Sequence, residues 1–138
     1  MNAVDTNVLF YCLDVREQTK RPLAQRLIER EGDMALMWQV ACEFAACLRK
    51  LERLGVTRHH GRLFLDDLLG RFQLVLPDRS VLVGALRLQQ RYSLSFWDAN
   101  LVAACLAAGV DTLYTEDFAA QGQIEDLRLV DPFAASRR

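Results

Sequence analysis

Ala3-Val4-Asp5-Thr6-Asn7-Val8-Leu9-Phe10-Tyr11-Cys12-Leu13 is the stretch on which the fold class turns. Ala3-Val4-Asp5 reads as a short buried strand, and Asn7 to Leu13 as a helix behind it. The same alternation recurs downstream. Arg21 to Glu31 is helical, with Leu23, Leu27 and Ile28 on one side and a stop at Gly32-Asp33. Met34 to Met37 is a second strand. Val40 to Leu54 is a helix whose Val40, Phe44, Leu48 and Leu51 share a face, closed by Gly55. A polar helix is predicted from Arg58 to Leu69, a strand from Phe72 to Leu76 ahead of Pro77, and a helix from Arg79 to Tyr92. Trp97 to Ala108 is a helix apolar nearly all round, as a buried helix is. Thr112–Thr115 and Leu127–Val130 complete the strands. Short strands alternating with helices of this length predict an α/β fold, a mostly parallel sheet covered on both faces. No repeat, low-complexity tract or Pro/Gly-rich linker interrupts residues 1–138, which read as one domain.

A chain of 138 residues with 51% apolar and 25% charged side chains has globular composition and enough length for a hydrophobic core. Its formal charge of −1 does not by itself attract a polyanion. Setting aside Asp5, Glu43, Asp98 and Asp117 leaves +3, so nucleic acid would meet a positive rim around a metal-neutralised centre. Fifteen of the 17 basic residues are arginine, which suits bidentate phosphate contact, although codon bias produces the same excess. Cys12, Cys42, Cys47 and Cys105 show no zinc-ligand spacing and sit in apolar runs, as free thiols of a reducing cytoplasm do. The N-terminus lacks a basic leader, and the Val8–Leu13 run is too short for a signal peptide. The uncharged stretch between Asp98 and Asp111 cannot cross a bilayer, so no membrane association is expected.

Four acids stand out by position. In open α/β sheets the reactive crevice lies outside the carboxyl ends of the strands. Asp5 ends the first strand, and Glu116-Asp117 follows the Thr112–Thr115 strand, although each aspartate also reads as an ordinary cap or turn residue. Glu43 has Val40, Ala46 and Cys47 as its nearest helical neighbours, with Gln39 and Lys50 as its polar company. A carboxylate in that stripe is partly desolvated unless a cation or donor compensates; a solvated helix face is the alternative. Asp98 is the only charge between Phe96 and Val110, and Ser95-x-x-Asp98 has the form of a capping box.

Hard oxygen ligands of this kind select Mg²⁺, Mn²⁺ or Ca²⁺, and no EF-hand spacing is present. Such a centre activates water for in-line attack on phosphorus, so the expected reaction is phosphodiester hydrolysis leaving a 5′-phosphate and a 3′-hydroxyl. His59 and His60 are adjacent in a polar helix and read as surface residues. No GxSxG, GxxxxGK[ST] or GxGxxG motif offers a serine nucleophile, a triphosphate site or a dinucleotide site.

Asp5-Thr6-Asn7-Val8-Leu9, Gln39-Val40 with Glu43-Phe44, Ser95-Phe96-Trp97-Asp98-Ala99 and Tyr114-Thr115-Glu116-Asp117-Phe118 together resemble the PIN-domain ribonucleases. More narrowly, they are similar to the VapC toxins of type II toxin–antitoxin pairs. The likeness runs on through Gly122-Gln123 to Asp131-Pro132-Phe133. Asn100, where relatives carry a small or apolar residue, and Asp131, where asparagine is common, depart from it.

The resemblance implies a three-layer α/β/α sandwich with Asp5, Glu43, Asp98 and Asp117 as catalytic ligands of Mg²⁺ or Mn²⁺. It makes Thr6 and Asn7 braces of the first aspartate and Glu116 a helper beside Asp117. It also implies a homodimer held inactive by a VapB-type antitoxin, whose tail lies in an apolar groove; Leu9, Phe10 and Leu13 are groove candidates as well as core candidates. The substrate implied is RNA, a tRNA or an rRNA loop, with Arg49, Lys50, Arg53 and Arg58 as candidate phosphate contacts. An RNA-processing nuclease outside any toxin pair, or a catalytically silent binding module, are the alternatives.

Overall fold

The computed structural model describes residues 1–30 and 32–137; the predicted helix end at Glu31 lies outside them. In chain order the elements are β1 (Asn2–Val4), α1 (Thr6–Leu13), α2 (Lys20–Arg30), β2 (Met34–Met37), α3 (Trp38–Ala46), α4 (Leu48–Arg53) and α5 (Arg58–Arg71). They continue with β3 (Gln73–Val75), α6 (Arg79–Arg91), α7 (Phe96–Ala107), β4 (Thr112–Tyr114), β5 (Gln123–Ile124) and β6 (Leu127–Val130). The strands form one sheet in the order β3-β2-β1-β4-β6-β5. Every pairing is parallel except that of β5 with β6.

This order places the site. The chain builds outward from β1 through β2 to β3, then returns to lay β4 on the other side of β1. Right-handed crossovers running in opposite directions put their helices on opposite faces of the sheet. Accordingly α1 packs with α2 and α3, while α6 packs on α7 and α7 against β2 and β6. The result is the three-layer α/β/α sandwich. Its topological switch point falls between β1 and β4, where open α/β sheets bind their ligands. All four residues of β2 are buried, as a central parallel strand requires.

Two expectations need correction. The helix predicted from Val40 to Leu54 is two helices, α3 and α4, with α3 leaving β2 directly at Trp38. The joint is Cys47, whose N–H donates to both Glu43 O (3.1 Å) and Phe44 O (2.9 Å), a tightened turn that swings α4 onto α5. The two helices meet so closely that a Cβ on Gly61 would stand 2.7 Å from Leu48 Cδ2. The apolar pattern continues through this bend, so periodicity alone does not register it. The second correction is β5, a two-residue strand too short to carry any pattern. It reaches β6 through a turn at Glu125-Asp126, with Glu125 at φ +52° and its carboxylate paired to Arg87 Nη1 at 2.6 Å.

Candidate active site

Asp5 is placed by backbone. Its N–H donates to Tyr114 O at 2.9 Å, extending the β1–β4 register by one residue, after which the chain turns into α1. The side chain is only 6% exposed, and both oxygens are occupied. Oδ1 accepts from the Thr6 N–H (2.7 Å), the N-cap of α1, and Oδ2 accepts from Thr115 Oγ1 (2.8 Å). Thr115 follows β4 as Asp5 follows β1, so adjacent parallel strands set this contact. The cap reading of Asp5 is therefore correct, and the same side chain stands at the carboxyl end of β1 beside β4.

Glu43 reaches the same place from α3. Oε2 accepts from Thr6 Oγ1 (2.8 Å), and Oε1 accepts from Gln39 Nε2 (2.7 Å), one helical turn earlier. Gln39 Nε2 also donates to Trp97 O (3.0 Å), and Gln39 Oε1 accepts from Asn100 Nδ2 (2.8 Å). One hydrogen-bonded chain thus runs from Asn100 through Gln39, Glu43, Thr6, Asp5 and Thr115 to the Asp117 N–H, which donates to Thr115 Oγ1 at 3.2 Å. It ties α7, α3, α1 and the turn after β4 together. Thr6 differs from expectation: its hydroxyl holds Glu43, and the hydroxyl bracing Asp5 belongs to Thr115. Asn7 is sealed from solvent at both Oδ1 and Nδ2 and takes no hydrogen bond among the described residues.

Asp98 enters at the N-terminus of α7, where Ser95 Oγ accepts from its N–H at 3.1 Å, half of the expected capping box. Glu116 and Asp117 part company. The Glu116 carboxylate accepts from Tyr11 OH (2.7 Å) and pairs with Lys20 Nζ (2.9 Å), whose ammonium also lies over the Tyr11 and Phe133 rings. Glu116 is a latch between α1, α2 and the C-terminal segment, and Asp117 is the exposed acid beside Asp5. Glu116→Gln is therefore expected to lower the melting temperature by a few degrees in thermal unfolding, and an unchanged melting temperature would show that the latch adds nothing to stability.

The acids lie near enough to feel one another's charge. Burial, first of all, pushes the Asp5 carboxyl up to about 6, against the lowering effect of Thr115 and Thr6, and the charges of Asp117 and Glu43 push it further. Asp98 is also raised, by burial first and then by Asp117 and Glu43, with Ser95 opposing. Asp5 and Asp98 thus feel the same two neighbours. The donors are carboxylate, hydroxyl and carboxamide oxygens, with no imidazole or thiolate among these contacts; that set suits a hard divalent cation and not zinc. As placed, no three His, Cys, Asp or Glu side chains among the described residues converge closely enough to chelate one ion. Asp5 and Glu43 are each held by their own donors.

The remaining candidates lie outside this network. Arg58 pairs with Glu52 (2.8 Å), Lys50 sits over the Phe10 ring, and Arg49 and Arg53 are exposed on α4. His59 and His60 are exposed. Leu9 and Leu13 belong to the buried core, which leaves Phe10 alone part-exposed among the groove candidates. Cys42 is exposed, unlike the buried Cys12 and Cys105, because it lies on the face of α3 turned from the sheet. Gln39, Thr115 and Asn100 are site residues that sequence reasoning passed over. The i, i+4 spacing of Gln39 and Glu43 was the one available signal for the first; Thr115 and Asn100 had none without the register.

The PIN domain family profile matches residues 3–122. The chain belongs to the PIN domain family. Similar solved structures include a toxin–antitoxin complex from Klebsiella pneumoniae, with 20% identity, a TM-score of 0.71, and coverage of 96% of this chain and 98% of that one. VapC20 of Mycobacterium tuberculosis, described as a sarcin–ricin loop cleaving toxin, is 18% identical with a TM-score of 0.70, covering 93% and 99%. VapBC2 of Rickettsia felis, bound to a fragment of its promoter DNA, is 16% identical with a TM-score of 0.68, covering 94% and 96%. At these identities the likeness is one of fold. No curated protein sequence matches significantly.

Proposed function

We propose that this chain is a Mg²⁺- or Mn²⁺-dependent endoribonuclease, the toxin of a type II toxin–antitoxin pair. The observation that carries the reading is the hydrogen-bonded chain that ties Asp5 at the end of β1 to Glu43 of α3 and, through Thr115, to the Asp117 backbone after β4, with Asp98 near enough to feel the charges of Glu43 and Asp117. These four residues would hold the cation. When bound, it would polarise the scissile phosphate and lower the pKa of a water for in-line attack. The chain's own part is positional: Thr115 and Thr6 fix the rotamers of Asp5 and Glu43, and Gln39 keeps Glu43 turned inward. Both histidines are exposed on α5, and neither takes part in the hydrogen-bonded chain that holds the acids.

The structural neighbours that are toxin–antitoxin complexes support an antitoxin partner, and the toxin that cleaves the sarcin–ricin loop supports structured RNA as substrate. Exposed Leu82, Val83 and Leu86 on α6 support a homodimer. Among the described residues no helix is long and apolar enough to cross a membrane, in keeping with a cytoplasmic toxin. The test is chelation. Cleavage of total tRNA or rRNA by the purified chain should stop in EDTA and return with added Mg²⁺ or Mn²⁺, leaving 5′-phosphate ends. Undiminished cleavage in chelator would remove the carboxylate–metal mechanism.

A further inference from the structure

Beside the acids, between α3, α7 and the segment after β3, lies a cavity of about 630 Å³. Its walls include Trp38, Trp97 and Pro77, and its polar groups are Gln39, Glu43 and Asn100. Three features of it ask for a ligand. Trp38 and Trp97 are 46% and 63% exposed, an unusual cost for indoles with nothing against them. The Trp97 ring meets Phe96 edge-on at 5.2 Å, and its backbone carbonyl accepts from Gln39 Nε2. Asn100 uses only Nδ2 toward Gln39, which leaves Oδ1 free to accept and Nδ2 with a second N–H to donate.

No lysine, arginine or histidine lines the cavity among the described residues, so it is built for a flat, neutral group and not for a phosphate. Glu43 belongs both to this wall and to the carboxylate cluster. A group seated here is therefore next to whatever the acids act on.

We propose that the Trp38–Trp97 cavity is a nucleobase subsite: one unstacked base next to the cleaved linkage stacks on an indole while the Asn100 carboxamide reads its edge. This rests on the ribonuclease reading above. Single-stranded or looped RNA offers such bases, and an amide presents the adjoining donor and acceptor that a base edge matches.

The chain contains two tryptophans and both line the cavity, so intrinsic emission reports on it alone. The Asp5→Asn chain, which spares the RNA, is titrated in Mg²⁺ with a mixed-sequence single-stranded RNA octamer and with a base-free ribose-phosphate octamer. Saturable quenching by the first and little by the second is the expected result. In the otherwise wild-type chain, Trp97→Ala should raise KM for RNA about fivefold to a hundredfold with little change in kcat, and Trp97→Phe should restore most of it. Equal quenching by the base-free octamer, or an unchanged KM in Trp97→Ala, would overturn the subsite. Emission that shifts with protein concentration alone, and then resists RNA, would overturn it in favour of a second copy of the chain. A protein that quenches but cleaves nothing with any divalent metal refutes the nuclease reading and keeps the subsite; one that cleaves without quenching does the reverse.

Discussion

Asp5→Asn is expected to lower RNA cleavage by on the order of 10³-fold or more while making the metal-free protein more stable at neutral pH. The loss follows if Asp5 helps hold the cation, since such an ion supplies several kcal/mol of charge stabilisation. The gain follows from burial. In the folded chain the Asp5 carboxyl titrates at about 6 instead of 3.8, so the folded state binds its proton more tightly than the unfolded state does. Stability conferred by that proton is full below about pH 4 and is lost as pH rises through about 6. At pH 7 the ionised, buried carboxylate costs at most about 3 kcal/mol, at roughly 1.4 kcal/mol per pKa unit. Asparagine cannot ionise and escapes that cost, but its amide nitrogen cannot accept from Thr115, which removes part of the benefit. A net gain of about 1–2 kcal/mol, or roughly 3–6 °C, is expected in EDTA at pH 7, and none at pH 4. Thermal melts of both chains at the two pH values decide the point. Saturating Mg²⁺ should reverse the order, because only the wild type then keeps its full ligand set. Identical melting at pH 7 in chelator would mean that Asp5 carries no strained charge.

Phe44→Ala is expected to cost about 3–5 kcal/mol, a large part of the stability of a domain this size. Phe44 is fully buried on α3, next to Glu43, and its ring tilts against Phe64 of α5 with centroids 5.5 Å apart. The residue thus sets how α3 lies on α5, and so how far Glu43 reaches toward Thr6. Urea denaturation should show the midpoint falling steeply with little change in slope. Phe44→Leu should recover more than half of the loss. A cost below about 1 kcal/mol would show that α3 is held chiefly from the sheet side.

The limits of the sequence show best at particular residues. The β2 and β6 boundaries were legible to the residue: β2 is an all-buried apolar run after Asp33, and β6 lies between Asp126 and Asp131. Cys47 was not legible as a break, since both helices it joins keep the same apolar phase. As neighbours in one turn Glu116 and Asp117 read alike from local pattern, and only the family resemblance favours Asp117. Lys20 and Tyr11 separate them, and neither is near them in sequence. Thr115 read as the end of a strand, and only the pairing of β1 with β4 turns its hydroxyl to Asp5.

The sequence by itself determined the layer architecture, which is written in the apolar periodicity of the elements, and it singled out Asp5, Glu43, Asp98 and Asp117 as candidates by their places at strand ends and on apolar helices. Tertiary structure alone decided which oxygen meets which donor, which of two adjacent acids faces Asp5, and that both tryptophans open onto one cavity. Those facts depend on strand register and helix packing between segments far apart in the chain. No window of neighbouring residues contains that information.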